Sequence, residues 1–364
     1  MKAAPHIEAI PVTTPFIGPE ELMREGGHRS LLRLGANESA FGPSPTAVAA
    51  MAAELPRLSW YGDPESYDLR AALAPRHGCA SENICVGAGI DDLMGLAVRA
   101  FLAAGRTALA TLGTYPTFSY HVVGYSGNLQ TVPYCNDGSV DVDGLVAAAR
   151  KIRPAIVYLA NPDNPSGTFL AAEAVQQLFE ALPKESLLFL DEAYADFVEE
   201  SALLPQLIDE RLIRVRTFSK AYGMAGARIG YSVSTARNVE TFQKIRLQYG
   251  VNRNAQIGAL ASLADMPFAQ YIVRETAAGR EEYYSLAGSL RCPFLRSRTN
   301  FVCIDFNTRE RAAAVLNRLL QLGVFVRKPG APPLDRFVRI SVGTAPERTE
   351  FGVRLRRALE DVDR

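Results

Sequence analysis

Short apolar runs alternate with helical patterns through the middle of the chain. Helical stretches at Asp91–Ala103, Val142–Lys151 and Ala171–Leu182 separate many of these runs. Apolar strands joined by helices are typical of a mostly parallel sheet that is covered on both faces. Seven runs are predicted as its strands: Ile84–Val86, Ala108–Leu112, Leu129–Val132, Ile156–Ala160, Leu187–Leu190, Ile213–Thr217 and Ile229–Val233.

The pattern changes on either side of this region. Residues 1–30 are rich in proline and glycine and predict an irregular arm, and Leu69–His77 predicts an early helix. Met266–Leu290 predicts a long charged helix. Shorter strand and helix patterns follow at Phe301–Phe306, Arg309–Leu322, Val324–Arg327, Val338–Val342 and Glu347–Leu359. We therefore predict a large α/β domain at 31–265, with a small α+β domain formed by 1–30 and 266–364.

Composition narrows the possible partners. The 364 residues are 48% apolar and 21% charged, which is ordinary for a globular protein. The 39 basic residues balance the 39 acidic ones, so no net charge attracts the protein to nucleic acid or anionic lipid. No apolar run approaches the ~20 residues of a membrane span, and no secretory signal opens the chain. The five cysteines form no CxxC pair, so no metal site is expected. We expect a cytoplasmic protein that binds small molecules.

Four polar segments each follow a predicted strand. They contain Lys220 in TFSKAYGMAGARIG, Asp191 in LLFLDEAYADF, Asn164 in NPDNPSG, and the glycines of GAGIDDL. Taken singly, each has a plain alternative: a surface lysine, a helix cap, a tight turn, or acidic residues that suit a helix dipole. Taken together they would meet at one edge of the sheet, because ligands of open α/β sheets bind at the carboxyl ends of the strands.

An amine, a buried carboxylate, an amide and a helix N-terminus suit a molecule that carries a carbonyl, a ring nitrogen and a phosphate. Their order resembles that of the fold-type I enzymes that depend on pyridoxal 5'-phosphate (PLP), the aspartate aminotransferase superfamily. The resemblance covers roughly Gly35 to Thr344. It is strongest to histidinol-phosphate aminotransferases, in LGANESAFGPSP, WYGDPESYDLRAALA, NPDNPSGTF, LDEAYADF, TFSKAYGMAGARIGY and VRISVGT. It implies an aspartate-aminotransferase-like fold: a PLP domain with a seven-stranded, mostly parallel sheet, plus a small α+β domain.

The resemblance also implies roles for single residues. Lys220 would bind the cofactor covalently and move the proton between the substrate Cα and the cofactor, and Asp191 would pair with the ring nitrogen. Asn164 and Tyr194 would hydrogen-bond the phenolic oxygen, and Tyr115 would stack on the ring. The residues implied to hold the phosphate are Thr217, Ser219, Arg228 and the backbone of Gly89, Ile90 and Asp91, with Tyr61 of a neighbouring subunit. A homodimer with shared active sites follows from that last role.

Five residues are predicted to bind substrate. Arg339 matches an arginine that binds the substrate carboxylate, and Arg327 matches one that helps to bind a phosphate. Asn37 matches the segment that folds over the site. Phe16 stands where relatives often carry a tyrosine, and Arg253 is a cation where a neutral loop is expected.

These matches predict a ping-pong aminotransferase that moves an amino group from histidinol phosphate to 2-oxoglutarate. Three alternatives stay open: an aminotransferase for an aromatic or other amino acid, a PLP-dependent decarboxylase of a phosphorylated amino acid, and a non-enzymatic binding protein with the same fold.

Overall fold

A computed structural model describes residues 1–10, 17–27 and 30–364. The helices are α1 (Pro5–Glu8), α2 (Pro19–Gly26), α3 (Pro45–Glu54), α4 (Tyr67–Leu73), α5 (Ile90–Phe101), α6 (Pro116–Gly124), α7 (Val142–Ile152), α8 (Ala172–Ala181), α9 (Ala236–Gln243), α10 (Arg253–Ala264), α11 (Met266–Ser289), α12 (Arg309–Gln321) and α13 (Ala345–Val362). The strands are β1 (Leu32–Arg33), β2 (Ile84–Gly87), β3 (Thr107–Thr111), β4 (Asn128–Val132), β5 (Ile156–Ala160), β6 (Leu187–Asp191), β7 (Leu212–Thr217), β8 (Gly230–Val233), β9 (Phe301–Asp305), β10 (Val324–Phe325) and β11 (Phe337–Ser341).

Seven strands form the large sheet in the order β2-β8-β7-β6-β5-β3-β4. Strand β8 runs antiparallel to both of its neighbours, and the other paired strands are parallel. Alternate residues of β6 enter different apolar cores: Leu188 and Leu190 pack on one face, and Leu187 and Phe189 on the other. The predicted seven-stranded, mostly parallel sheet is confirmed, and it is buried on both faces because helices cover each side.

The direction of the strands brings the polar segments together. Strands β3, β5, β6 and β7 are parallel, so the segments after Thr111, Ala160, Asp191 and Thr217 leave the sheet at the same edge. Because β8 is antiparallel, it begins at this edge with Gly230 and ends at the other. A side chain at Gly230 would lie 2.8 Å from the carbonyl oxygen of Arg216, so this close strand contact requires glycine.

A second, smaller core lies at the C-terminal end of the chain. Strands β9 and β11 pair antiparallel, β1 pairs parallel with β10, and a bridge between Arg327 and Arg339 joins the two pairs. Leu34 is buried in this core although it comes from the N-terminal part of the chain. Helix α11 contributes to both cores, with Ile272 in the sheet core and Tyr283 in the smaller one. We infer from this packing the two domains expected from the sequence, with β1 packed on the smaller one.

Several elements differ from their predicted form. The arm is not wholly irregular, since α2 begins at Pro19, in the first helical position where proline is favoured. The segment Leu69–His77 is α4 followed by a 3₁₀ turn, and the strand expected at Val324–Arg327 is only two residues long. Helix α9 was not predicted. It is capped by the Thr235 side chain, which accepts from a backbone N–H and so satisfies one of the unpaired donors at the start of the helix.

Candidate active site

A cavity of about 250 Å³ lies at the carboxyl edge of the large sheet. A wider cleft of about 830 Å³ shares several lining residues with it and reaches the smaller core. Ten of the predicted cofactor-site residues line the cavity: Ile90, Asp91, Tyr115, Asn164, Asp191, Tyr194, Thr217, Ser219, Lys220 and Arg228. Three of the predicted substrate residues line the wider cleft: Asn37, Arg327 and Arg339. The fold therefore brings together segments that are far apart in sequence.

Asp191 is a buried carboxylate at the end of β6, with 5% of its surface exposed. One oxygen accepts from the Tyr158 hydroxyl at 2.8 Å, and the other accepts from the backbone N–H of Ala193 at 3.0 Å. Burial raises the pKa of Asp191 to about 6. Among the residues that the structure describes, no cation pairs with this carboxylate within 4.0 Å. A buried carboxylate of this kind fits a ligand that presents a protonated nitrogen.

Lys220 enters the same cavity from the segment after β7. Its Nζ donates to the backbone oxygen of Asn37 at 3.1 Å and lies 5.6 Å from the centre of the Tyr194 ring. Burial, together with the charge of Arg339, lowers the pKa of Lys220 to about 8. A lysine whose pKa is lowered in this way is unprotonated in a far larger fraction near neutral pH than an ordinary lysine, and the unprotonated amine is the nucleophile.

Tyr194 and Asn164 face the cavity with hydrogen-bonding groups already oriented. The Tyr194 oxygen accepts from the Asn37 amide at 2.9 Å, and its ring packs edge-on against Phe301 at 5.4 Å. Burial raises the pKa of Tyr194 to about 12, so the phenol stays protonated. The Asn164 side-chain oxygen accepts from the Arg339 guanidinium at 2.5 Å, which leaves the Asn164 amide hydrogens for other partners.

The anion end of the cavity lies at the N-terminus of α5. Gly89 has φ of +90°, and a side chain there would lie 2.5 Å from an Arg228 Nη atom, so only glycine allows the guanidinium this close. First-turn N–H groups of a helix lack intrahelical partners, and those of Ile90 and Asp91 belong to this turn. Arg228 also pairs with Asp91 at 3.5 Å. Together these groups form a site suited to a phosphate.

The two arginines of the cleft are held by backbone groups. Arg339 donates to the oxygen of Gly35 at 3.2 Å and packs over the Phe301 ring at 5.2 Å. Arg327 donates to the oxygen of Ile17 at 2.9 Å, and burial lowers its pKa. The two guanidinium groups add positive charge to the cleft, which suits an anionic substrate.

The structure does not bring every predicted site residue to the pocket. Tyr61 is 75% exposed and stacks on Tyr249 at 4.4 Å. Arg253 pairs with Glu54 at 2.8 Å and donates to the backbone oxygen of Tyr61 at 3.3 Å, outside the lining of its own chain's cleft. Its expected contact with substrate stays a prediction. Phe16 lies outside the described residues.

Three polar residues of the site carried no role in the sequence analysis. Tyr158 donates to Asp191, and a lone hydroxyl within the apolar run IVYLA could have indicated this partner. Ser341 and Asn300 both hydrogen-bond Asn37 from the smaller core. Both residues are far from Asn37 in sequence, so only the tertiary structure shows the contact.

Comparison with known proteins agrees with this geometry. The family model "Aminotransferase class I and II" matches residues 29–355. A histidinol-phosphate aminotransferase of Mesorhizobium japonicum is 32% identical over 93% of each chain, and one of Thiobacillus denitrificans is 33% identical over 96% of this chain and 91% of its own. 

Solved structures show the same relationship. The histidinol-phosphate aminotransferase of Sinorhizobium meliloti, solved in complex with pyridoxal-5'-phosphate, has a TM-score of 0.95 and 41% identity, covering 99% of this chain and 98% of its own. An aspartate aminotransferase variant of Thermus thermophilus shares the fold, with a TM-score of 0.80 at 21% identity and 99% and 98% coverage. The fold type I prediction is confirmed, and the chain belongs to the aminotransferase class I and II family.

Proposed function

We propose that this chain is a PLP-dependent aminotransferase that takes the amino group of histidinol phosphate and passes it to 2-oxoglutarate. The observation that carries the proposal is the convergence of Lys220 and Asp191 on one cavity. A pyridine aldehyde needs two groups: an amine to react with its carbonyl and a carboxylate to bind its ring nitrogen. Lys220 has a lowered pKa, and Asp191 is buried without a cation partner within the described residues.

The donor set fits PLP along its whole length. The α5 N-terminus with Arg228, Thr217 and Ser219 would hold the phosphate. Asp191 would hold the ring nitrogen, and at the other side of the ring Asn164 and Tyr194 would donate to the phenolic oxygen. The bound cofactor supplies an electron sink for the electrons released at the substrate Cα.

The residues of the chain supply proton transfer and orientation. The Lys220 Nζ would take the proton from the substrate Cα, and burial lowers its pKa to about 8, so the basic amine form is far easier to reach near neutral pH than for an ordinary lysine. A positive partner at the ring nitrogen would offset the desolvation that raises the pKa of Asp191, and so stabilise its ionised form. Arg339, fixed by Asn164 and Gly35, orients an anionic group of the substrate.

The choice of amino donor rests on the cationic cleft and on the relatives. An antiparallel backbone bridge joins Arg327 and Arg339, and both side chains line the cleft that also contains Lys220. A ping-pong transaminase of this type binds a phosphorylated amine and a dicarboxylic 2-oxo acid in turn, and two guanidinium groups can serve both anions. Several curated relatives are named histidinol-phosphate aminotransferase.

A donor screen tests the proposal. Purified holoenzyme is offered histidinol phosphate, histidinol, phenylalanine or phosphothreonine with 2-oxoglutarate, and glutamate is measured. We expect the highest kcat/KM with histidinol phosphate. Phenylalanine as the best donor would favour an aromatic aminotransferase, and release of CO₂ from phosphothreonine would favour the decarboxylase.

A variant of the cleft sharpens the test. Arg327→Gln should reduce kcat/KM for histidinol phosphate roughly 10- to 100-fold, the size of one lost charged hydrogen-bond pair, and affect histidinol little. Arg296→Gln is the matched control, because Arg296 is a surface arginine paired with Glu281 far from the cleft lining. Equal losses for both donors would mean that Arg327 does not bind the phosphate.

We also infer a homodimer with shared active sites. Tyr61 stacks on Tyr249 and follows Trp60 in the sequence, and all three aromatic side chains are more than half exposed in the single chain. Exposed apolar patches of this kind commonly mark protein interfaces. Light scattering should give twice the mass of the chain, and Trp60→Glu should shift it toward the monomer. The expected cytoplasmic location stays a prediction.

A further inference from the structure

We propose that Ser341 is a positioning residue that sets the direction of the Tyr194 hydroxyl through the side chain of Asn37. This inference rests on the proposed function, since it concerns the hydrogen bond that Tyr194 would donate to the cofactor's phenolic oxygen. Ser341, Asn37 and Tyr194 are buried, with 3%, 2% and 3% exposure, so water does not replace their hydrogen bonds.

The direction of each hydrogen bond follows from the donors available. The Ser341 hydroxyl accepts from the backbone N–H of Asn37 at 2.9 Å, so its single hydrogen is free for the Asn37 side-chain oxygen at 3.2 Å. With that oxygen engaged, the Asn37 amide nitrogen faces Tyr194 and donates to its oxygen at 2.9 Å. The Tyr194 hydrogen is then free to point into the cavity that the residue lines.

The opposite orientation of the amide is less favourable. If the Asn37 side chain were flipped, its oxygen would accept the Tyr194 hydrogen and draw it away from the cavity. The Ser341 oxygen would then accept two hydrogen bonds while its own hydrogen lost its partner. A buried donor without a partner is costly, so the Ser341 hydroxyl selects the orientation that leaves Tyr194 as a donor to the cavity.

The backbone holds Asn37 in place for this role. Asn37 has φ of 56°, and its carbonyl oxygen accepts from Asn300 at 3.0 Å and from Lys220 at 3.1 Å. Ser341 lies two residues after Arg339 on β11, and residues at this spacing face the same side of a strand. One strand therefore carries both the arginine of the cleft and the hydroxyl that orients Tyr194.

The test measures the visible absorption of the cofactor-bound holoenzyme as a function of pH. A donor to the phenolic oxygen stabilises its negative charge, so weakening that donor should raise the pH midpoint of the spectral change. We expect Ser341→Ala to raise the midpoint by about half to one pH unit, the size of one weakened hydrogen bond. The charged or titratable groups that face Tyr194 and Lys220 are Asp191, Asp163, Arg339, Asp91, Arg228 and Glu38, and every variant retains them.

Further variants separate this route from general loosening. Ser341→Thr keeps the hydroxyl and should restore the wild-type midpoint. Ser297→Ala removes a buried hydroxyl that bonds Thr299 instead, and should leave the midpoint unchanged. In a Tyr194→Phe background, Ser341→Ala should cause no further shift, because the hydroxyl on which it acts is gone.

A second variant keeps the test independent of Ser341. Asn37→Gly suits the positive φ, retains both backbone groups and deletes the amide, so it should shift the midpoint as Ser341→Ala does. The inference is overturned if Ser341→Ala and Asn37→Gly both leave the midpoint at the wild-type value, or if Ser341→Ala acts equally without the Tyr194 hydroxyl. A wild-type protein that takes up no PLP would instead overturn the proposed function, and this inference with it.

Discussion

Replacing Asp191 by asparagine should make the cofactor-free protein more stable and the cofactor-bound protein less so. The carboxylate is buried, and its folded-state pKa of about 6 lies above its ordinary value of 3.8. A raised carboxyl pKa means that the folded state binds the proton more tightly than the unfolded state. Stability therefore falls as pH rises from about 4 to about 6, and the penalty is complete above that range.

The size of the penalty follows from the shift. A difference of about two pKa units corresponds to about 3 kcal/mol at pH 8, and roughly half of it is present at pH 5. Asparagine can keep the hydrogen bond from the Ala193 N–H at 3.0 Å, but the one from Tyr158 at 2.8 Å must rearrange. Subtracting about 1 kcal/mol for that hydrogen bond leaves a net gain of about 2 kcal/mol at pH 8.

Thermal and urea unfolding of the cofactor-free forms at about pH 5 and pH 8 measure this effect. The advantage of Asp191→Asn should grow with pH, while its affinity for PLP should fall, because the partner of the ring nitrogen is lost. A variant that is less stable than wild type at pH 8, or a difference that does not change with pH, would refute the reasoning. Asp143→Asn, at an exposed position in the first turn of α7, is a control that should show no such trend.

Three further predictions concern other charged groups. Lys220→Ala should reduce the rate of transamination by about 10³-fold or more. The rate at which the cofactor-free wild type binds PLP should rise with pH to a midpoint near 8, and a midpoint at the ordinary lysine value of 10.5 would contradict the lowered pKa. Arg339→Lys should raise KM for both substrates roughly 10- to 100-fold in steady-state assays, because lysine lacks the planar fork that Asn164 orients. Glu192→Gln should cost about 3–5 kcal/mol in urea unfolding, since it leaves two buried arginines without their carboxylate, whereas the exposed Glu281→Gln should cost under about 0.5 kcal/mol.

The sequence predicted the large sheet well because its strands are short, apolar and separated by helices. The placement of Lys220, Asp191 and Asn164 followed from the same pattern, since each residue lies at or just after the end of a parallel strand and such strands end at one edge. The short strand β10 was harder to predict, because its long-range pairing with β1 determines it rather than periodicity. Helix α9 has only 8 residues, too few for its pattern to stand out in the sequence.

The substrate side of the site depends on contacts that span most of the chain. Asn37 meets Ser341 and Asn300 only because β1 packs on the C-terminal core. Arg253 likewise pairs with Glu54, a partner 199 residues away in the sequence. Partners that are hundreds of residues apart leave no periodic signal in one sequence, so motif and spacing alone do not identify them.

The pKa values of the two central ionisable groups of the cavity are shifted in opposite directions, and each shift favours the neutral form of the group. Burial raises the pKa of Asp191 and lowers that of Lys220, so each group is less stable in its charged form than it would be in water. A ligand that brings a protonated nitrogen to Asp191 and a carbonyl to Lys220 relieves both costs, and that relief appears as binding free energy. The burial that destabilises the cofactor-free protein therefore also makes the lysine nucleophilic and increases the affinity for the cofactor. For this reason we expect substitutions of Asp191 to change stability and function in opposite directions.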